Sequence, residues 1–131
     1  MNPSEAAFPA SWQAGAQLFA AGHWWEAHEA WEPEWLAATG ERRCALQALI
    51  LLAAALHKRW RMGSLTERNF AKAQVYLRGL PPGVFGVDWA RLEQEVAACL
   101  RSDAPVPFGL PLLPVWLDGR PSASALPRSD E

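Results

Sequence analysis

The sequence has little cysteine, no long apolar run and no basic leader, and each shortage excludes a class of protein. Two cysteines in 131 residues are too few for a disulfide scaffold and are typical of buried thiols in a reducing compartment. The longest apolar block, Cys44–Leu56, is shorter than the ~20 residues that span a bilayer. The segment Met1–Ala10 has no basic residue and no apolar run, so we expect no secretory signal. These shortages predict a cytoplasmic protein that has no membrane partner.

The chain also lacks a strong excess of charge. Its formal net charge is -2 and only 20% of its residues are charged. The net charge therefore gives no electrostatic attraction to nucleic acid, and we expect no nucleic-acid partner. A hydrophobic fraction of 50% excludes a disordered chain. The length of 131 residues is that of one domain with one core.

Proline, by contrast, is abundant and concentrated near the end of the sequence. Six prolines follow Ala104, which is too many for a helix or a central strand. We therefore expect a helical domain over residues 1–103 and a proline-rich tail over residues 104–131. The apolar segment Val106–Leu117 is expected to lie extended against the helices or against a second subunit. The segment Asp118–Glu131 is expected to be disordered.

Apolar periodicity in the body of the sequence predicts about five helices and no strand. Glycines at 22, 40, 63 and 79 are predicted to follow helix ends in the left-handed conformation. Ser11 and Asp88 are predicted N-caps, and the spacing of Ser64 and Glu67 matches a capping box. The predicted helices run from Ser11 to Gly22, Trp24 to Thr39, Glu41 to Met62, Ser64 to Gly79 and Asp88 to Leu100. Short loops predict an all-α compact bundle in which the second and third helices form an antiparallel central hairpin.

Ionisable residues interrupt the aromatic face of the second predicted helix. A helical wheel places His28 and Glu32, one turn apart, within the arc of Trp25, Trp31 and Trp35. The apolar face of the third predicted helix similarly includes His57, with Gln47 at its border. We therefore expect His28, Glu32, Gln47 and His57 to converge away from water when these two helices pair.

Buried charged groups need partners, and two explanations remain open. The first is a structural network in which Glu32 accepts a hydrogen bond from His28 and fixes the register of the helices. The second is a site in which His28 and Glu32 bind a divalent metal or transfer protons, with Glu29 or His57 assisting. The candidate binding residues are Trp25, Glu26, His28, Glu29, Trp31, Glu32, Trp35, Gln47 and His57.

Two blocks of sequence resemble the signature of a small prokaryotic family, domain of unknown function 309. The first is GHWWEAHEAWEP at residues 22–33, followed by Trp35, and the second is LQALI at residues 46–50, followed by LAAA at residues 52–55. The resemblance covers about residues 14–100 and implies a compact all-helical fold. It places Glu26, His28, Glu29, Glu32 and Gln47 on the polar signature positions of the family, and it implies no activity.

Two classes of function follow from these observations. The first is a non-catalytic binding or interaction module, with a protein partner or self-association through the apolar tail. The second is a small metal-dependent or acid/base enzyme that uses His28 and Glu32. The first is favoured because the sequence shows no nucleophile motif, no phosphate loop and no complete set of metal ligands.

Overall fold

Five α-helices form most of the structure, a computed structural model that describes residues 7–114 and the backbone of residues 116–117 and 120–121. The elements are α1 Gln13–Ala20, α2 Trp24–Ala37, α3 Gly40–Arg61, α4 Arg68–Arg78 and α5 Trp89–Leu100, with 3₁₀ turns at Ala10–Trp12 and Val84–Gly86 and strands β1 Trp116–Leu117 and β2 Arg120–Pro121. The two strands pair antiparallel. The predicted all-α class with about five helices is confirmed.

The longest helix, α3, is the centre of the bundle. It contributes nine buried residues, which are Ala45, Leu46, Ala48, Leu49, Ile50, Leu52, Ala53, Ala55 and Leu56. The helices α2 and α4 pack on α3, α1 packs on α2, and α5 packs on α3 and α4. Contacts between Trp25 and His57 at one end, and between Trp35 and Arg43 at the other, show that α2 and α3 run antiparallel. The predicted central hairpin is confirmed.

Three indoles and a phenyl ring form most of the core contributed by α1, α2 and the 3₁₀ turn before α1. Trp12, Phe19, Trp24 and Trp31 are all fully buried or nearly so, and they join the leucines of α3 in one apolar cluster. Burial of four such large rings contributes most to holding α1 and α2 on the bundle. No polar or charged residue is buried within the described residues.

Helix starts are only partly as predicted. Asp88 caps α5 as expected, since its carboxylate accepts a 3.1 Å hydrogen bond from the backbone N–H of Arg91. The predicted capping box is wrong: α4 begins at Arg68, and the Ser64 hydroxyl lies 3.1 Å from that of Thr66 instead. The predicted cap at Ser11 is also wrong, because Ser11 lies inside the first 3₁₀ turn.

Helix ends also differ in detail from the prediction. Gly22 and Gly63 have φ of 81° and 71°, as expected for left-handed turns after helices. Gly40 has a positive φ but begins α3 rather than ending α2, and Gly79 is right-handed with φ of -88°. The helix α2 ends at Ala37, two residues before the predicted Thr39.

The first part of the tail, residues 104–114, runs along the helices as an extended segment, which we call the strap. The backbone N–H of Asp88 donates to Pro111, that of Leu113 donates to Gly86, and the Phe108 ring packs edge-on against Phe19 at 5.5 Å. The side chain of Trp116 and most of the segment expected to be disordered lie outside the described residues. Within the part that the structure covers, no helix is both long and apolar enough to cross a membrane.

Candidate functional site

Three aromatic rings form a cluster at one end of the α2–α3 hairpin. The Trp25 indole stacks on the His28 imidazole, with 4.6 Å between centroids and 28° between planes. The His57 ring, contributed by α3, lies 5.2 Å from the same indole at 39°. The indole is nevertheless 43% exposed. This ring cluster of Trp25, His28 and His57 therefore presents a large apolar ring to solvent in a fixed orientation.

The pair of His28 and Glu32 lies at the surface, so the prediction that this pair is inside the core is wrong. The His28 Nε2 and the nearer Glu32 carboxylate oxygen are 3.6 Å apart, and the Glu32 side chain is 52% exposed. The His28 side chain is 19% exposed. The carboxylate thus remains hydrated, and its position requires no buried partner.

The second nitrogen of His28 has a different environment. The Nδ1 atom is buried and has no hydrogen-bond partner among the described residues. A proton transfer to a substrate would therefore have to use Nε2, the atom that faces Glu32. This geometry is better explained by a carboxylate that orients the imidazole than by an imidazole that uses a free nitrogen to contact a bound molecule.

No cluster of three His, Cys, Asp or Glu side chains that could hold a metal ion occurs in the part of the chain that the structure describes. His28 and Glu32 supply two ligands at most, Glu29 is exposed on the outer side of α2, and the His57 ring faces the Trp25 indole. The metal site predicted at His28 and Glu32 stays a prediction.

The other end of the hairpin holds a separate groove of about 400 Å³. It is lined by Trp35, Gly40, Arg43, Cys44, Gln47 and Tyr76, and so joins α2, α3 and α4. The Arg43 guanidinium lies 4.3 Å from the centroid of the Trp35 ring. Gln47 is at this groove, and His57 is in the ring cluster at the opposite end of α3. The expected convergence of all four polar residues is therefore wrong, because Gln47 and His57 are ten residues apart on α3, about 15 Å along the helix.

The thiol of Cys44 lies in the wall of this groove. It donates a 3.4 Å hydrogen bond to the carbonyl oxygen of Tyr76. Burial, and secondarily the negative charge of Glu41, raise the pKa of Cys44. A raised pKa leaves less thiolate at neutral pH, so this cysteine is not activated as a nucleophile.

Two further candidates have other roles. Trp31 is fully buried, and its indole N–H donates a 3.1 Å hydrogen bond to the carbonyl oxygen of Trp12. It therefore serves the core rather than a ligand. Glu26 is exposed and its carboxylate lies 3.6 Å from the His23 Nδ1, on the side of α2 away from the ring cluster.

The outer surface of α2 carries a continuous stripe of four exposed side chains. Trp25, Glu29, Glu32 and Leu36 follow the spacing of four, three and four residues that aligns side chains along one face of a helix. Trp25 and Leu36, at the two ends, are among the large exposed apolar side chains of the protein. The two carboxylates lie between them. We call these four residues the α2 stripe.

An exposed basic stripe on α4 was not among the predicted site residues. Arg68, Lys72 and Val75 are exposed and share one face of α4, again at helical spacing. The i,i+4 spacing of Arg68 and Lys72 is visible in the sequence and could have indicated this face.

The fold and the site together define a class of small all-helical protein. Its centre is the α2–α3 hairpin, which is flanked by α1 and α4 and has the ring cluster at its surface. The chain belongs to the family described as Domain of unknown function (DUF309), whose model matches residues 12–68. It is also similar to the crystal structure of a conserved hypothetical protein, TTHA0068 from Thermus thermophilus, with 47% sequence identity and a TM-score of 0.65 over 72% of this chain and 99% of that chain. No curated protein matches the sequence.

Proposed function

We propose that this protein is a non-catalytic interaction module and that the α2 stripe binds a basic amphipathic helix. The observation that carries the proposal is the Trp25 indole, which is half-exposed although two imidazole rings hold it in place. Tryptophan is enriched among the residues that dominate binding energy at protein interfaces.

The ring cluster lowers the entropic cost of binding through Trp25. A free aromatic side chain loses rotamer freedom when a partner immobilises it, and that loss opposes association. Stacking on His28 and contact with His57 restrict the indole before any partner arrives. The pre-set orientation is the property expected of a binding anchor.

Charge on the stripe defines the chemistry of the partner. Glu29 and Glu32 occupy its middle, between the apolar Trp25 and Leu36. A partner helix that complements this pattern carries Lys or Arg in its centre and apolar side chains one or two turns away on the same face. Such a helix would cover the indole and leave the carboxylates with cationic neighbours.

The alternative function, a metal-dependent or acid/base enzyme using His28 and Glu32, has less support. The pairing of the His28 Nε2 with the Glu32 carboxylate favours it. Against it stands the buried position of the His28 Nδ1, which leaves for a substrate only the Nε2 that already faces Glu32.

A pair of synthetic peptides tests the proposed function. One is an amphipathic helix of leucine and lysine, and the other has glutamate in place of every lysine. The full-length ¹⁵N-labelled protein is titrated with each, and the indole N–H resonance of Trp25, assigned with Trp25→Phe, is followed. We expect the lysine peptide to shift this resonance to saturation and the glutamate peptide to leave it unchanged.

A matched pair of variants separates the stripe from net charge. Glu32→Gln removes a carboxylate from the stripe and should weaken binding of the lysine peptide by about fivefold or more, as expected for loss of a close opposite charge. Glu26→Gln makes the same charge change on another side of α2 and should leave binding unchanged. Equal effects of the two variants, or a Trp25 resonance that does not respond, would contradict the proposal.

A further inference from the structure

We infer that the basic helix bound by the α2 stripe is α4 of a second copy of this chain, in a symmetric dimer whose two-fold axis is parallel to α3. The inference rests on the proposed function and names the partner of the same surface. Its basis is that α2 and α4 border one face of the molecule with opposite charge and matching positions along α3.

The basic residues of α4 are available for such a contact. Arg68 and Lys72 are exposed and form no ion pair among the described residues, whereas Arg78 pairs with Glu93 and Arg101 pairs with Glu67. Arg68 and Lys72 therefore form a basic surface that is not neutralised within the described part of the chain. Val75, one turn further along the same face of α4, is 72% exposed.

The two stripes border the same face. The groove lined by Trp35, Gln47 and Tyr76 connects α2 and α4 across the exposed side of α3. On this side Trp25 contacts His57 of α3, the Arg43 guanidinium of α3 lies over the Trp35 ring, and Tyr76 of α4 lines the groove. A second molecule placed over the exposed side of α3 would therefore meet both stripes at once.

The charged residues also match in their positions along the bundle. Both α2 and α4 run antiparallel to α3, since Trp25 is beside His57, Trp35 beside Arg43, and the Tyr76 carbonyl beside the Cys44 thiol. Counting turns from these contacts places Glu29 about level with Arg68, and Glu32 about level with Lys72, about 5 Å further along. Leu36 is then about level with Val75.

Symmetry decides how two such faces combine. A two-fold axis parallel to α3 preserves position along the helices and brings α2 of each copy against α4 of the other. Glu29 and Glu32 then face Arg68 and Lys72 of the second copy, and the arrangement occurs twice. An axis across the helices would instead bring α2 against α2, with four carboxylates facing one another. The distribution of charge therefore selects the parallel axis.

Apolar contacts and charges would contribute differently to this dimer. Exposed ion pairs contribute little net free energy each, so Trp25, Leu36 and Val75 supply most of the association energy. The charges set the orientation and speed the encounter. A rise in salt concentration should therefore weaken the dimer modestly and lower its rate of association.

Charge-reversed variants of the full chain, studied by sedimentation equilibrium, test the inference. The wild-type protein is expected at twice the monomer mass at micromolar to tens of micromolar concentration. Glu29→Lys with Glu32→Lys, and separately Arg68→Glu with Lys72→Glu, should each weaken dimerisation at least tenfold. An equimolar mixture of the two variants should restore the dimer, because both α2–α4 contacts of the mixed dimer again pair acid with base. Asp103→Lys, outside both stripes, is the control and should remain dimeric.

Each outcome decides between the inference and the proposed function. A mixture that restores the dimer supports the arrangement and shows that both variants are folded, which circular dichroism checks independently. A dimer that persists in both variants, or a mixture that remains monomeric while each variant is folded, overturns it. A monomeric wild-type protein whose Trp25 resonance still responds to the lysine peptide overturns the dimer and leaves the proposed function standing.

Discussion

The indole N–H of Trp31 donates a 3.1 Å hydrogen bond to the carbonyl oxygen of Trp12 and so ties α2 to the 3₁₀ turn before α1. The same indole lies against Gly15 of α1, where a Cβ would be 2.3 Å from the Trp31 Nε1. The close approach of α1 and α2 therefore depends on the missing side chain at residue 15. The hydrogen bond and the glycine together fix the depth at which Trp31 enters the core.

Gly15→Ala should destabilise the protein by about 1–3 kcal/mol, because the buried indole has little room to move away from the new methyl group. The gain in helix propensity on replacing glycine, up to about 1 kcal/mol, works in the opposite direction and is smaller. Urea denaturation followed by circular dichroism measures the change. Gln17→Ala, at an exposed position of the same helix, should shift the free energy of unfolding by less than about 0.5 kcal/mol. Equal stabilities of Gly15→Ala and the wild type would show that the two helices can separate freely.

Phe108→Ala should cost about 2 kcal/mol, since the half-buried ring packs edge-on against Phe19 and closes the apolar cluster on that side. Val106 lies two residues earlier in the strap and is 62% exposed, so Val106→Ala should change stability by less than about 0.5 kcal/mol. Thermal unfolding of both variants measures the difference. If Phe108→Ala is as mild as its neighbour, the strap does not contribute to stability through this ring.

Cys44 should react with iodoacetamide only at a pH higher than an unstructured cysteine requires, because burial and the charge of Glu41 raise its pKa. The rate of alkylation at this site, followed by mass spectrometry across a pH series, is compared with the rate for the same chain in urea. The midpoint of the profile should lie higher in the native protein. Glu41→Gln should lower the native midpoint by a smaller amount. Identical midpoints in native and unfolded protein would contradict the assignment.

The pair of Glu67 and Arg101 should stabilise the protein at neutral pH and lose its effect in acid. Two hydrogen bonds from Arg101, at 2.9 and 3.2 Å, lower the pKa of Glu67, so its contribution is present above the ordinary glutamate pKa and is lost as pH falls through the lower, folded-state value. Glu67→Gln should therefore lower Tm slightly at pH 7 and not at all below the folded-state pKa.

A double-mutant cycle is the control for this pair. In an Arg101→Gln background, Glu67→Gln should leave Tm unchanged at every pH, because the interacting charge is already absent. High salt should reduce the wild-type advantage, since the Arg101 side chain is exposed and the Glu67 side chain is partly exposed. A difference in Tm that persists in acid would assign the effect to something other than the ion pair.

The helices could be predicted from sequence where the determining interactions are local. Asp88 caps α5 through a hydrogen bond to a backbone group only three residues away, so the pattern alone indicated it. The stripe of Leu92, Val96 and Leu100 is buried as the period of 3.6 residues predicts. Ser64 shows the limit of this approach, because its hydroxyl had another partner, Thr66, within two residues.

The candidate site depended on interactions between helices, which a single sequence does not fix. A helical wheel gives the direction of Glu32 from the axis of α2, but the extent to which α3 covers that direction depends on the packing distance and crossing angle. The prediction therefore placed Glu32 in the core, and the structure places it at the surface. The misplacement of Gln47 has another cause. Gln47 and His57 are ten residues apart on one helix, so the helical rise alone, about 15 Å, already excluded their convergence.

The strap has a consequence for synthesis of the protein on the ribosome. Phe19, in the first α-helix, is covered by Phe108, which belongs to the last part of the described chain to be translated. A nascent chain can form the α2–α3 hairpin early, yet it keeps this phenyl ring uncovered until the strap emerges from the exit tunnel. An apolar surface that stays open for most of translation is a natural contact point for chaperones and for neighbouring nascent chains.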